Sequence, residues 1–179
     1  MAATKSSERL TLLQGDITQQ AVDAIVNAGN ESLLGGGGVD GAIHRGAGPE
    51  LLKECQTLHG CPTGQAKITK GYKLPARHVI HTVGPVWQGG GQRESQLLAG
   101  CYRSCFELVE KHQLNTIAFP SISTGAYGYP VGQAAKIAIA EIKKALERLP
   151  ALTNVTVVCF DQRTYEAYQA AVAEAERAQ

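Results

Sequence analysis

The run Ala24-Ile25-Val26-Asn27-Ala28-Gly29-Asn30, followed by Gly35-Gly36-Gly37-Gly38-Val39-Asp40-Gly41-Ala42-Ile43-His44, has the composition of an anion-binding loop set between a strand and a helix. Consecutive glycines let a backbone approach a phosphate closely and aim several N–H groups at it, and a helix opening near Val39 adds the positive end of its dipole. A flexible linker would be polar on both flanks. Here Ala24 to Ala28 reads as a short buried strand, and Val39 to His44 carries apolar residues into a helix. Asn27, Asn30 and Asp40 place short polar side chains at the loop's mouth, suited to the sugar hydroxyls of a nucleotide-type ligand. No Lys-Ser or Lys-Thr pair follows the glycines, so the P-loop pattern fails, and the spaced glycines of a dinucleotide fingerprint do not open on the first strand.

A second loop repeats the logic. After Ile117-Ala118-Phe119 comes Pro120-Ser121-Ile122-Ser123-Thr124-Gly125-Ala126-Tyr127-Gly128-Tyr129-Pro130, in which Ser123 and Thr124 can donate to phosphate oxygens and Tyr127 offers a flat face to a sugar. Alone, it would read as an ordinary strand-to-helix turn with core tyrosines. Paired with the first loop at the carboxyl ends of strands, it suggests a clamp for the diphosphate of a nucleotide diphosphate sugar.

Positioning two such loops requires an α/β framework. Strands are expected at Leu10 to Leu13, ending at Gly15-Asp16, and at Ala24 to Ala28, Ala66 to Thr69, His78 to Thr82, Thr116 to Phe119 and Val155 to Phe160. Apolar residues at helical spacing from Leu97 to Val109 predict a helix over 95–112 with Ser95 as N-cap. A further helix follows Pro130, which is expected in its first turn, and stops at Pro150; the last runs from about Gln162 toward Ala175. The order of the first strands favours a mixed sheet, and the expected fold is a three-layer α/β/α sandwich. The 179 residues fit a single domain over 9–179, preceded by a flexible tail at 1–8. With 17 basic and 16 acidic residues, net charge gives no steering toward nucleic acid or membranes, so any anion binding is local. Five cysteines, with no signal peptide ahead of them, point to a reducing, cytoplasmic setting without disulfides, and the longest apolar runs are too short to span a bilayer.

Taken together, Gly15-Asp16-Ile17-Thr18, Asn27-Ala28-Gly29-Asn30, Gly35 through His44, His81-Thr82-Val83-Gly84-Pro85 and Ile122 through Pro130 resemble the MacroD-type macrodomains, over roughly Leu10 to Asp161. The resemblance implies the macrodomain fold and ADP-ribose binding. It further implies hydrolysis of O-acetyl-ADP-ribose and removal of mono-ADP-ribose from carboxylate-linked protein sites, without a cofactor or metal. On that basis Asp16 accepts from the adenine amino group and Ile17 makes the neighbouring backbone contact, with Phe160 and Asp161 beside the adenine. Asn27 joins the ligand-binding residues. Gly36, Gly37, Gly38 and Val39 hold the diphosphate, opposed by Ser123, Thr124, Gly125 and Ala126. Asn30 and Asp40 act at the distal ribose, where the bond is broken, and Tyr127 packs beside that ribose. One departure from the family's pattern is Gly29, where alanine is usual; it loosens the backbone before Asn30. A buried carboxylate at Asp16 would discriminate adenine from guanine, which offers an acceptor at that edge.

No Gly-x-Ser-x-Gly elbow is present and no cysteine has a histidine partner in sequence, so the economical mechanism is a water held near the α-phosphate that attacks the ester or the anomeric carbon, with Asn30 and Asp40 orienting the distal ribose and either Asp40 or the substrate phosphate taking the proton. A non-catalytic ADP-ribose reader is the rival reading. Cys55, His59 and Cys61 lack a fourth ligand for structural zinc. The basic stretch Lys67, Lys70, Lys73, Arg77 and His78 reads as a solvated face, with an ADP-ribosylated nucleic-acid end as a secondary partner beside mono-ADP-ribosylated proteins. A monomer is expected.

Overall fold

In a computed structural model that describes residues 6–178, the apolar runs become six strands in one sheet of order β1-β6-β5-β2-β4-β3. These are β1 (Leu10–Gln14), β2 (Ala24–Ala28), β3 (Ala66–Lys70), β4 (His78–Thr82), β5 (Thr116–Phe119) and β6 (Asn154–Cys159). The first five in sheet order are mutually parallel, and only the edge strand β3 runs antiparallel, beside β4. The helices are α1 (Gly38–Ala47), α2 (Pro49–Gln56), α3 (Glu94–Lys111), α4 (Val131–Arg148) and α5 (Gln162–Arg177).

Parallel strands must be covered on both faces, which is why β2 and β6 read as near-continuous apolar runs. Alternation along each strand then sorts side chains between two cores. Ile25, Val79, Ala118 and Val158 pack with Ile43, Ala47 and Leu51 from α1 and α2. Val26, Ile80, Ile117, Phe119 and Val157 pack with residues of α3, α4 and α5, including Phe106, Ile142 and Tyr168. The result is the expected α/β/α sandwich with a mixed sheet. All five cysteines are buried and free, and no helix among the described residues is long and apolar enough to cross a membrane.

Three local features depart from the sequence reading. Helix α2 was not anticipated: eight residues carry too little periodicity, although Pro49 at its first position marks a helix start. Ser95 does not cap α3, which begins one residue earlier, after Arg93 at φ 62°. The carboxylate of Glu94 organises that entry instead, accepting from the backbone N–H groups of Gln88 at 2.8 Å, Gly90 at 3.0 Å and Gln92 at 2.6 Å. Pro130 sits at the N-cap of α4 rather than inside its first turn. As for the tail, residues 1–5 lie outside the described residues, whereas Ser6–Arg9 forms a 3-10 turn. Arg9 then ties the start of β1 to the end of α4, donating through Nη1 to the carbonyls of Leu149 at 3.2 Å and Leu152 at 2.5 Å, and through Nη2 to that of Leu146. A cation at a helix C-terminus satisfies carbonyls that the helix itself leaves open.

Candidate functional site

Because β1, β6, β5, β2 and β4 are parallel, the segments that follow them emerge at one edge of the sheet. Asp16, Phe160-Asp161, the 120–130 loop, the 29–38 loop and Val83-Gly84-Pro85 are thereby brought together. Neighbouring strands β5 and β2 send their chains to opposite faces, β2 to α1 and β5 to α4. Such divergence opens a crevice at the strand ends, where α/β sheets take ligands.

The first loop is built on close backbone approach. A Cβ on Gly41 would stand 2.6 Å from the Gly36 carbonyl oxygen, so only glycine lets the first turn of α1 meet the loop. Gly37 is the N-cap and makes no side-chain cap, which leaves the first N–H groups of α1 open to an anion. At Gly36 a Cβ would lie 3.1 Å from Asp40 Oδ2 and 3.5 Å from Asn30 Nδ2, so the two residues assigned to the distal sugar converge behind that glycine. Asn30 also braces its own loop. Its Nδ2 donates to the Gly35 carbonyl at 3.0 Å, and its Oδ1 accepts from Ser32 N at 3.1 Å and Ser32 Oγ at 2.5 Å.

Asp40 is only 4% exposed, and its surroundings were not legible in sequence. Asn27 Nδ2 donates to Asp40 Oδ1 at 2.9 Å, and His44 Nε2 lies 3.4 Å from the same oxygen. Behind Asn27 stands His81, its Nδ1 3.2 Å from Asn27 Nδ2 and its Nε2 2.9 Å from Thr69 Oγ1. Burial, with the nearby His44 adding to it, pushes the His81 pKa down to about 3, so this imidazole is neutral. The position of Asn27 corrects its expected role. It is 1% exposed with both amide hydrogens directed inward, so it supports Asp40 and does not present its amide to a ligand. A signal was available for two of these residues: Asp40 and His44 are spaced i, i+4 on α1, and such residues meet.

The opposing loop is braced from the core. Tyr168 OH donates to Ser121 Oγ at 3.1 Å, and that hydroxyl shares a 2.7 Å hydrogen bond with Thr124 Oγ1. Ser123 adopts φ 68° beside Gly84, where a Cβ would fall 2.1 Å from Ser123 Oγ; this hydroxyl is buried and has no hydrogen-bond partner among the described residues. Gly125 and Ala126 are exposed, and the half-buried Tyr127 accepts at its carbonyl from Trp87 N at 2.8 Å.

At the far end, Asp16 is exposed rather than buried, which corrects the sequence reading. Its Oδ1 accepts from Thr18 N at 2.9 Å and Thr18 Oγ1 at 2.7 Å, capping a 3-10 turn in which Ile17 buries its side chain. Base discrimination by this carboxylate would therefore act in contact with solvent, where hydrogen bonds weigh less. Phe160 is 90% exposed, a flat apolar surface at the end of β6. Asp161 caps α5 by accepting from Thr164 N at 2.8 Å, and that bond lowers its pKa.

Residues outside the crevice are placed differently. Cys55 and Cys61 are buried while His59 is exposed, and Cys55 Sγ lies 3.8 Å from His81 Nε2. In the basic stretch, Lys67 Nζ donates to the Leu58 carbonyl at 2.6 Å and Arg77 pairs with Asp23 at 3.4 Å.

Comparison with known proteins agrees with this architecture. The family described as Macro domain matches residues 26–138. A Macro domain-containing protein of Chlorobaculum tepidum is 60% identical over 161 residues, covering 90% of this chain and 94% of its own. Among solved structures, the Oceanobacillus iheyensis macrodomain with ADP superposes with a TM-score of 0.91 at 47% identity, covering 95% of this chain and 93% of that one. The Trypanosoma brucei macrodomain in complex with ADP-ribose gives a TM-score of 0.87 at 48% identity, covering 92% of this chain and 69% of that one. The chain belongs to the Macro domain family.

Proposed function

We propose that this macrodomain binds ADP-ribose and hydrolyses its esters, releasing acetate from O-acetyl-ADP-ribose and ADP-ribose from acidic side chains of modified proteins. The observation that carries the reading is the Asp40 carboxylate, buried at 4% exposure with Oδ1 held by Asn27 while Oδ2 lies behind Gly36 beside Asn30. A carboxylate so placed, beside Asn30 at the loop's mouth, can orient an attacking water, whereas holding ADP-ribose on backbone N–H groups does not require it. The macrodomain structures of Oceanobacillus iheyensis with ADP and Trypanosoma brucei with ADP-ribose support the ligand class.

In this mechanism the N–H groups at the start of α1 and the Ser123–Ala126 segment fix the diphosphate. Phe160 and Asp16 receive the adenine, and Tyr127 packs beside the distal ribose. Asn30 and Asp40 orient that ribose, and Asp40 assists a water that attacks the ester. The water oxygen joins the acyl carbon, and the ribose oxygen departs with a proton. Positioning supplies much of the rate. The protein works as a cytoplasmic monomer folded as one domain from residue 9. Its partners are mono-ADP-ribosylated proteins, with ADP-ribosylated nucleic-acid ends as a secondary class.

The test is single-turnover hydrolysis of O-acetyl-ADP-ribose and of a glutamate-linked ADP-ribosyl protein, set beside calorimetric affinity for ADP-ribose, ADP and AMP. ADP-ribose is expected to bind most tightly because only it reaches Asn30, Asp40 and Tyr127. Asp40→Asn is expected to retain binding and lose roughly 10²–10⁴-fold in turnover. An unchanged rate in Asp40→Asn rejects the carboxylate's role, and an inert wild type on both esters favours the reader. Activity abolished by a chelator and restored by zinc would instead bring back a metal mechanism.

A further inference from the structure

We propose that His81 is a positioning residue for Asp40, acting through Asn27 as an imidazole with its proton on Nε2 and its Nδ1 bare. The kinetic consequence rests on the hydrolase reading above; the tautomer does not.

Sheet register starts the argument. Asn27 on β2 lies directly opposite His81 on β4, both on the face covered by α1 and α2, and His81 has no exposure to solvent. The Asn27 amide nitrogen has two hydrogens and no free lone pair. One hydrogen goes to Asp40 Oδ1 at 2.9 Å, and the other meets His81 Nδ1 at 3.2 Å. Nδ1 must then accept, so the ring proton sits on Nε2 and is donated to Thr69 Oγ1 at 2.9 Å. The Thr69 hydroxyl passes its own hydrogen to the Lys70 carbonyl at 3.1 Å or the Val79 carbonyl at 3.5 Å. Each hydrogen in the series finds an acceptor, and Cys55 Sγ, 3.8 Å from His81 Nε2, stands farther off than the Thr69 hydroxyl.

An imidazolium would set N–H against N–H at Asn27. If the Asn27 amide were turned over, its oxygen would face the Asp40 carboxylate. Asp40 thus excludes the turned amide, a bare Nδ1 on His81 supplies the second acceptor that holds Asn27 in place, and this orientation leaves Oδ2 of Asp40 toward Gly36 and Asn30. Without an acceptor at the Nδ1 position, the amide is free to rotate and Asp40 to swing toward His44, 3.4 Å away. The diphosphate contacts lie on backbone N–H groups of the loops and do not depend on this series.

The experiment uses two substitutions that divide the ring's functions. His81→Asn places an oxygen near the position of Nδ1, whereas His81→Gln reaches toward Thr69 and leaves Asn27 without its acceptor. Three readouts are taken: single-turnover ester hydrolysis, calorimetric affinity for ADP-ribose, and long-range proton–nitrogen correlation of the histidine rings in the wild type. Thermal melting screens for folded variants. The expected result is a bare Nδ1 on His81 throughout the neutral range. Turnover in His81→Gln should fall by about 10²-fold at unchanged affinity, and His81→Asn should recover most of the rate. A protonated Nδ1 overturns the proposal. So does equal loss of rate in both variants accompanied by weakened binding, which is the signature of a packing role alone. If neither variant folds, the correlation spectrum of the wild type still decides. Should the wild type be inert on both esters, the hydrolase reading falls, while a bare Nδ1 still supports this placement and a protonated one still removes it.

Discussion

Gly29 stands where the resemblance to the MacroD-type macrodomains leads one to expect alanine, and its surroundings make that exchange testable. Its φ is not among the positive values, and a Cβ there would rest 3.7 Å from Asn27 Nδ2 and 3.8 Å from Asp40 Cγ, ordinary contact distances. Alanine therefore fits without strain and restricts the unfolded chain. Gly29→Ala is expected to raise stability by ~0.4–1 kcal/mol, read as a higher urea midpoint; a lower midpoint would mean that the Asn27–Asp40 pair needs the open space. At this scale, sequence exposed what composition carries. Asn30 and Asp40 stand out because they flank glycines, and the structure places them together. His81 and Thr69 do not, because their link to Asp40 exists only once β2, β4 and β3 lie side by side. Asn27 and His81 are 54 positions apart in the chain, and neither residue type is unusual in a strand end.

The elements were legible in proportion to how much of their pattern is local. Buried parallel strands announce themselves as short apolar runs, and long helices as repeats at helical spacing. Helix α2, by contrast, spans two turns, and the entry to α3 is organised by Glu94, whose backbone partners belong to an irregular loop no periodicity describes. The second binding loop adds another non-local dependence. Its Ser121–Thr124 hydrogen bond is anchored by Tyr168 from α5, a fully buried phenol whose pKa burial pushes up to about 12, so it stays a donor at any working pH. Tyr168→Phe removes the anchor and leaves the ring's packing. Stability is expected to drop by about 0.5–1.5 kcal/mol, with weaker affinity for ADP-ribose as the loop gains freedom. Calorimetry showing full affinity at reduced stability would confine the hydroxyl's role to folding.

For the molecule as a whole, pH dependence follows from groups held away from their ordinary protonation. His81 titrates near 6.5 in the unfolded chain and at about 3 when buried, so between those values the unfolded state binds more protons. Stability is then expected to fall by about 1.4 kcal/mol for each pH unit below roughly 6.5 on account of this one group. At lower pH, carboxylates join it. Asp23, whose burial is outweighed by hydrogen bonds from the Asn115 and Thr116 backbones and by Arg77, titrates below its ordinary value in the folded state, and so does Glu94. Both contribute stability present above their unfolded pKa and lost as pH drops through the folded one. Urea titrations from neutral to acid pH should trace the His81 slope, and in His81→Asn that slope should vanish while the later carboxylate step remains. The pairing of β1 with β6 has a consequence of a different kind. As the chain leaves a ribosome, its first strand emerges with Leu10, Leu12 and Leu13 unpaired. Its single neighbour in the sheet is the last strand to be made. The domain therefore cannot close until β6 has been made, and a chain halted anywhere before β6 leaves an apolar edge open to chaperones or to its own copies.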